Sequence, residues 1–167
     1  ARHESGRTVF DERHLCHSPQ ERLFFDGAWH EGVLPPAEPG SDTHAQYRRF
    51  ATRVAQAQRE FGFTLPTRRA PWTAGHDALD AVTFAQWLDA QGLVDVRLRW
   101  YLDYCCRDDY GAGLEAVSAW AGLHYFASRH GFASDDDEPH PPLTAPDGNA
   151  RLARGLAAGL SIHTGRV

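Results

Sequence analysis

The sequence predicts a mixed α/β (α+β) fold, rich in helix and carrying one β-hairpin. Three observations lead there. The pair Asp26-Gly27 sits between the runs Glu21-Arg22-Leu23-Phe24-Phe25 and Ala28-Trp29-His30-Glu31. Both turn positions tolerate positive φ, which is what a tight hairpin requires. Tyr47, Phe50, Val54, Ala57 and Phe61 then recur at spacings of three and four, the period of one helix face. Finally, Thr83, Asp95 and Ser118 each precede an apolar segment and belong to the residue types that cap helix N-termini.

Taken in order, Arg7-Thr8-Val9-Phe10 is β-branched and aromatic and reads as a short strand. The hairpin follows, and Pro35-Pro36-Ala37-Glu38-Pro39-Gly40 is a loop. Asp42 or Thr43 is expected to cap the first long helix, with Gly62 as its C′ residue. Arg48, Arg49, Arg53, Gln56 and Arg59 fall away from its apolar stripe. The stretch from Thr64 to Gly75, with Pro66 and Pro71, reads as an irregular connector.

Thr83 caps a short helix with Phe84, Trp87 and Leu88, stopped by Gly92. Asp95 caps a helix through Leu98, Trp100, Tyr101, Leu102 and Tyr104 to about Asp109. That helix is apolar nearly all round and should be central and buried. Ser118 opens a helix with Trp120, Leu123, His124 and Ala127 that ends near Gly131. The acidic tract from Ser134 to Pro142 reads as a solvated loop. Asp147-Gly148-Asn149 begins a helix through Leu152, Leu156 and Leu160, and Ile162 to Val167 reads as a closing strand. No internal repeat is visible.

With 167 residues, 42% of them hydrophobic and 23% charged, the chain has the size and composition of one ordinary globular domain. About 70% of the surface of such a chain is buried on folding, so a true core is expected. No run approaches the roughly 18 to 20 apolar residues of a membrane helix, and the first twenty residues hold no signal-peptide pattern. The net charge of -5 gives no support to nucleic-acid binding, which draws on a basic surface. All 17 basic residues are arginine and methionine is absent; genomic base composition explains that bias better than function does. A chain opening Ala1-Arg2-His3 is expected to be processed or excised from something longer.

Candidate chemistry is sparse. His14-Leu15-Cys16-His17 offers zinc-type ligands, but on a strand His17 would point away from His14 and Cys16, and ordinary packing is the stronger expectation. Cys105 and Cys106 lie on an apolar helix, where buried thiols are inert and adjacent cysteines rarely pair. Ser118 is a cap and no nucleophile elbow occurs. Gly111-Ala112-Gly113 is only a fragment of a phosphate-binding turn. Asp108 and Asp109 follow Arg107 at a helix C-terminus, where carboxylates are disfavoured by the macrodipole. Flanked by Tyr101, Tyr104 and Tyr110 they are suited to line a polar pocket, against the competing and stronger reading that they bond Arg107 or cap a neighbouring helix. Tyr104, Asp108 and Tyr110 are the expected substrate-facing groups, since aspartate and aromatic faces together suit a cationic amine.

Three segments carry a family resemblance. They are Glu21-Arg22-Leu23-Phe24-Phe25, the run Trp100-Tyr101-Leu102-Asp103-Tyr104-Cys105-Cys106-Arg107-Asp108-Asp109-Tyr110-Gly111, and Ser118-Ala119-Trp120-Ala121-Gly122-Leu123-His124-Tyr125-Phe126-Ala127-Ser128-Arg129. Together they resemble the middle of bacterial FAD-dependent oxidoreductases of the flavin amine oxidase type. Pro146-Asp147-Gly148-Asn149-Ala150-Arg151-Leu152 and Ile162-His163-Thr164-Gly165-Arg166-Val167 resemble the turn, helix and strand by which that superfamily re-enters its FAD domain.

The resemblance implies a substrate domain over residues 1–142 interrupting a Rossmann-like FAD domain, which resumes over 143–167. It implies an enzyme that oxidises a small organic substrate by hydride transfer to FAD, with Val167 beside the flavin's adenine. The glycine-rich turn and the second FAD motif of the family are absent from the 167 residues, and Ala150 stands where small or glycine residues are usual. The segment alone is therefore expected to be inactive and to hold FAD weakly, with the remainder of the FAD domain as its partner. Cellular location stays open between the cytoplasm and export by a twin-arginine route. The alternative is a stand-alone helical ligand- or protein-binding module without catalysis.

Overall fold

A computed structural model describes residues 2–4, 7–9, 11–15, 21–128 and 144–165, with backbone alone for the first two segments. The chain divides into two compact units, one continuous from Gln20 to Glu138 and one assembled from Ala1–Pro19 and Pro139–Val167. The first 19 residues group with the C-terminal segment and not with the central one.

In the two-segment unit, β1 (Arg2–Glu4) and β2 (Arg7–Val9) form an antiparallel pair in which Arg2 faces Val9. A single 3-10 turn follows at Glu12–His14. The two segments are joined where the Thr144 N–H donates to the His14 carbonyl at 2.7 Å. Helix α6 (Ala150–Ala157) begins after Asn149, as its sequence predicts. Its Leu152 and Leu156 are exposed, and it ends before Leu160. The strand expected from Ile162 does not form: residues 162–165 have no regular structure, and Arg166 and Val167 lie outside the described residues. Gly159 and Gly165 both take positive φ there, a conformation that interrupts an extended strand.

The central unit is helix-rich. Its hairpin pairs β3 (Arg22–Phe25) with β4 (Ala28–Glu31), Phe25 opposite Ala28. Asp26 and Gly27 take φ of 51° and 79°, the positive pair that a two-residue turn demands. Helix α1 (Asp42–Phe61) buries Tyr47, Phe50, Val54 and Ala57 on one face. Its cap is Ser41, whose hydroxyl accepts from the His44 N–H, one residue earlier than expected. Gly62 closes it in the left-handed conformation.

The connector after α1 holds an unpredicted helix, α2 (Ala74–Asp80). His76 makes it possible: Nδ1 accepts from the Thr73 N–H at 3.0 Å, while Nε2 lies 3.1 Å from the Phe61 carbonyl. Helices α3 (Phe84–Ala90), α4 (Val96–Tyr110) and α5 (Ala119–Ala127) start at Thr83, Asp95 and Ser118, as the capping residues indicate. Helix α5 ends at Ser128, short of Gly131. The acidic tract from Ser134 to Pro142 lies outside the described residues.

Phe50, Val54, Phe84, Leu88, Leu98, Leu102 and Leu123 are fully enclosed and form the core. The Phe126 ring meets Phe50 edge-on at 5.2 Å. Gly122 is required by close approach, because a Cβ there would lie 2.3 Å from the Phe84 ring. The starts of α3 and α5 are bridged reciprocally: Phe84 N–H donates to Val117 O at 2.8 Å, and Ala119 N–H to Val82 O at 2.9 Å. Gln46, buried on α1, accepts from the Val94 and Asp95 N–H groups at 2.8 Å each and so fixes the entry to α4. Among the described residues no helix is long and apolar enough to cross a membrane.

Candidate functional site

The site is built on α4 and the hairpin. Helix α4 is not enclosed on all sides as its composition predicts. Leu98, Leu102, Cys105 and Cys106 face the core, while Val96, Trp100 and Tyr104 are exposed at successive spacings of four. Asp108 continues that stripe one turn further and is also exposed. Residues four apart share a helix face, so Trp100, Tyr104 and Asp108 run along one side of α4. Tyr110 leaves that side, since six residues of helix rotate it about 120° from Tyr104. Its hydroxyl donates to the Ala121 carbonyl on α5 at 2.9 Å. Of the three expected substrate-facing residues, the fold brings Tyr104 and Asp108 together and sets Tyr110 apart.

Arg107 is engaged one turn back along α4, where its Nε donates to Asp103 at 2.6 Å. The other Asp103 oxygen accepts the Leu114 N–H at 2.9 Å. Burial alone would raise the Asp103 pKa, but the Arg107 guanidinium and the Leu114 N–H outweigh it and hold the carboxyl below its usual range. This pair locks the turn after α4, where Gly111 adopts the left-handed conformation.

Facing the N-terminal half of the stripe is an open groove of about 380 Å³, lined by Leu23, Phe24, Phe25, Pro35, Val96, Arg97 and Trp100. Phe24 is 58% exposed and contacts Trp29 across the hairpin at 5.3 Å. Trp100 stacks on Tyr104 with centroids 5.9 Å apart. Arg97 lies over the Phe25 ring, 4.8 Å from its centroid, and donates from Nη1 to the Pro36 carbonyl at 2.9 Å. The adjoining Pro35 carbonyl accepts from Tyr47, whose hydroxyl burial holds at a pKa of about 12. The wall of this groove is thus anchored to the core through α1.

Beneath the stripe, burial pushes the Cys106 thiol up to about 12. Burial also raises Cys105, partly offset by hydrogen bonds with Tyr125 and Tyr101. Both thiols are enclosed and unreactive, as their setting on α4 predicts. Ser118 acts as the cap of α5.

Cys16, His17 and Val167 lie outside the described residues; His14 Nδ1 is 3.2 Å from the Thr144 carbonyl oxygen. Among the described residues no three His, Cys, Asp or Glu side chains gather as a metal site. Both two-stranded sheets are antiparallel, and neither leads through a glycine-rich turn into a helix. A dinucleotide pyrophosphate sits on such a strand–turn–helix junction, so the described residues offer FAD no such cradle.

Phe24, Arg97 and Trp100 are the groove residues that sequence patterning misses as a group. Phe24 reads only as a strand residue and Trp100 only as part of a buried helix; their meeting is a long-range event without a local signal. No family model matches the chain, and no curated protein or solved structure is significantly similar to it.

Proposed function

We propose that the chain is the substrate-domain segment of an FAD-dependent oxidoreductase of the flavin amine oxidase type. The parent enzyme oxidises a small organic substrate by hydride transfer, and the flavin, held by the rest of the FAD domain, is the reactive partner. The observation that carries this reading is the apolar groove lined by Phe24 and Trp100, continued along the same side of α4 by the exposed Tyr104 and Asp108. Such aromatic surfaces with few polar groups are how proteins orient a substrate beside a cofactor that does the chemistry. A continuous unit lying between two segments that form a second unit also supports an interrupted architecture, the arrangement the family resemblance implies.

The same exposed apolar surface supports a second reading, a stand-alone ligand- or protein-binding module. The two readings separate on flavin content. Under the first, the coding sequence around the chain holds a glycine-rich βαβ before Ala1 and a second FAD motif after Val167. The product of that whole frame then purifies with stoichiometric flavin, whereas residues 1–167 alone purify without it. Stoichiometric flavin on the 167 residues, or none on the whole product, overturns the first reading.

A further inference from the structure

We propose that the groove between the hairpin and α4 binds a small aromatic carboxylic acid, the carboxylate on Arg97 and the ring between Phe24 and Trp100. The lining is apolar except at one point. Leu23, Phe24, Phe25, Pro35, Val96 and Trp100 contribute hydrocarbon and aromatic surface, and Arg97 the only charge.

No acid among the described residues matches the charge of Arg97. Helix α4 carries two other arginines, and each has an acid: Arg99 pairs with Asp89 and Arg107 with Asp103. Arg97, half-buried, has none among the described residues. The nearest acid in sequence is committed elsewhere. One Asp95 oxygen accepts the Arg97 and Leu98 N–H groups at 2.9 Å each, and the other accepts the Thr43 hydroxyl at 2.8 Å.

A guanidinium withdrawn from water and left without an anion is costly. Stacking on Phe25 and one bond to the Pro36 carbonyl satisfy a face and one N–H, out of five donors. The remaining edge has the planar fork geometry that fits a carboxylate. A phosphate, with its higher charge, would call for several cations, and the groove supplies one. The aromatic side chains at the mouth add a stacking surface for a ring.

This inference names a substrate class for the proposed function, but its test needs no flavin, so the two fail separately. The probes are 3-phenylpropionate, 3-phenylpropylamine and 3-phenylpropanol, which share one body and differ in charge. They are titrated into the 167-residue chain by calorimetry and by NMR of the tryptophan indole N–H signals. The acid is expected to bind at least about tenfold more tightly than the alcohol or the amine and to shift the Trp100 signal. Arg97→Gln should bring the acid to the affinity of the alcohol and leave the alcohol unchanged; Arg97→Lys should keep part of the preference. Trp100→Ala should weaken all three. If the Arg97 variants unfold, the charge preference of the unmodified chain and the Trp100→Ala titration decide alone. Equal or tighter binding of the amine, a preference that survives Arg97→Gln in folded protein, or no saturable binding of the acid overturns the proposal.

Discussion

Trp100 and Tyr104 stand one turn apart on α4 with their rings stacked, 5.9 Å between centroids and 15° between planes, and both stay exposed. On the opposite face, half a turn away, Leu98 and Leu102 are fully enclosed. The helix therefore carries two apolar faces, one used for folding and one left open.

Asp108 lies at the end of that open face and is exposed, so its removal should cost folding little. Asp108→Asn is expected to change unfolding free energy by no more than about 0.5 kcal/mol, as for surface substitutions generally. In the flavin-bearing parent the same change should raise KM or lower kcat by about tenfold or more. Denaturant melts of the chain and turnover of the parent check the two halves. A collapse of stability with unchanged turnover makes Asp108 structural.

Asp103 should behave oppositely. Its folded pKa lies below the ordinary carboxylate range, which centres near about 4 in the unfolded chain. The stability it contributes is complete above that range and drains away as pH falls through the folded value. Asp103→Asn should therefore flatten the acid limb of the stability–pH curve and cost about 1 kcal/mol at neutral pH. Asparagine keeps an oxygen for the Leu114 N–H, so the cost is that of the lost charge and of the Arg107 bond, kept small because Arg107 is largely exposed and its ion pair is screened. Urea midpoints measured from neutral pH downward read the effect.

Gly122→Ala tests the closest packing in the central unit. Helix propensity alone favours alanine by about 1 kcal/mol. The new Cβ would meet the enclosed Phe84 ring at 2.3 Å, however, and overpacking of this kind costs about 1–3 kcal/mol. The variant is expected to lose stability in a thermal melt, and Phe84→Leu in the same background should recover part of the loss.

How far the sequence is legible depends on whether a feature is local. The Asp26-Gly27 turn, the Gly62 stop and the caps Thr83, Asp95 and Ser118 each declare themselves within four residues, and each is found where patterning puts it. Helix α2 escapes because its capping partner is a histidine at the third helical position, outside the usual glutamate or glutamine. The burial of α4 is misread because composition does not say which apolar side chains a neighbour covers: Val96 and Trp100 look like core and are not. The groove is least legible, since it joins residues 23–25, 35 and 96–100 only after the hairpin folds against α4.

Cys105 and Cys106 should be silent in the native state. With both thiols buried and Cys106 pushed up to about 12, alkylation at neutral pH is expected to leave the peptide containing them unmodified until denaturant is added. Peptide mass spectrometry after iodoacetamide treatment reads this directly. Rapid native labelling of either thiol would show that α4 opens.

The central claim is that these residues present a substrate to flavin. Its most direct test is the visible spectrum of the intact flavin-bearing protein on anaerobic mixing with arylalkylamines and aromatic α-amino acids, whose nitrogen-bearing carbon carries the hydrogen that leaves as hydride. Bleaching of the oxidised flavin band by at least one of them, slowed by Trp100→Ala and by Asp108→Asn, is the result expected. A flavin band that no such compound bleaches, or one bleached at the same rate in both variants, contradicts the account.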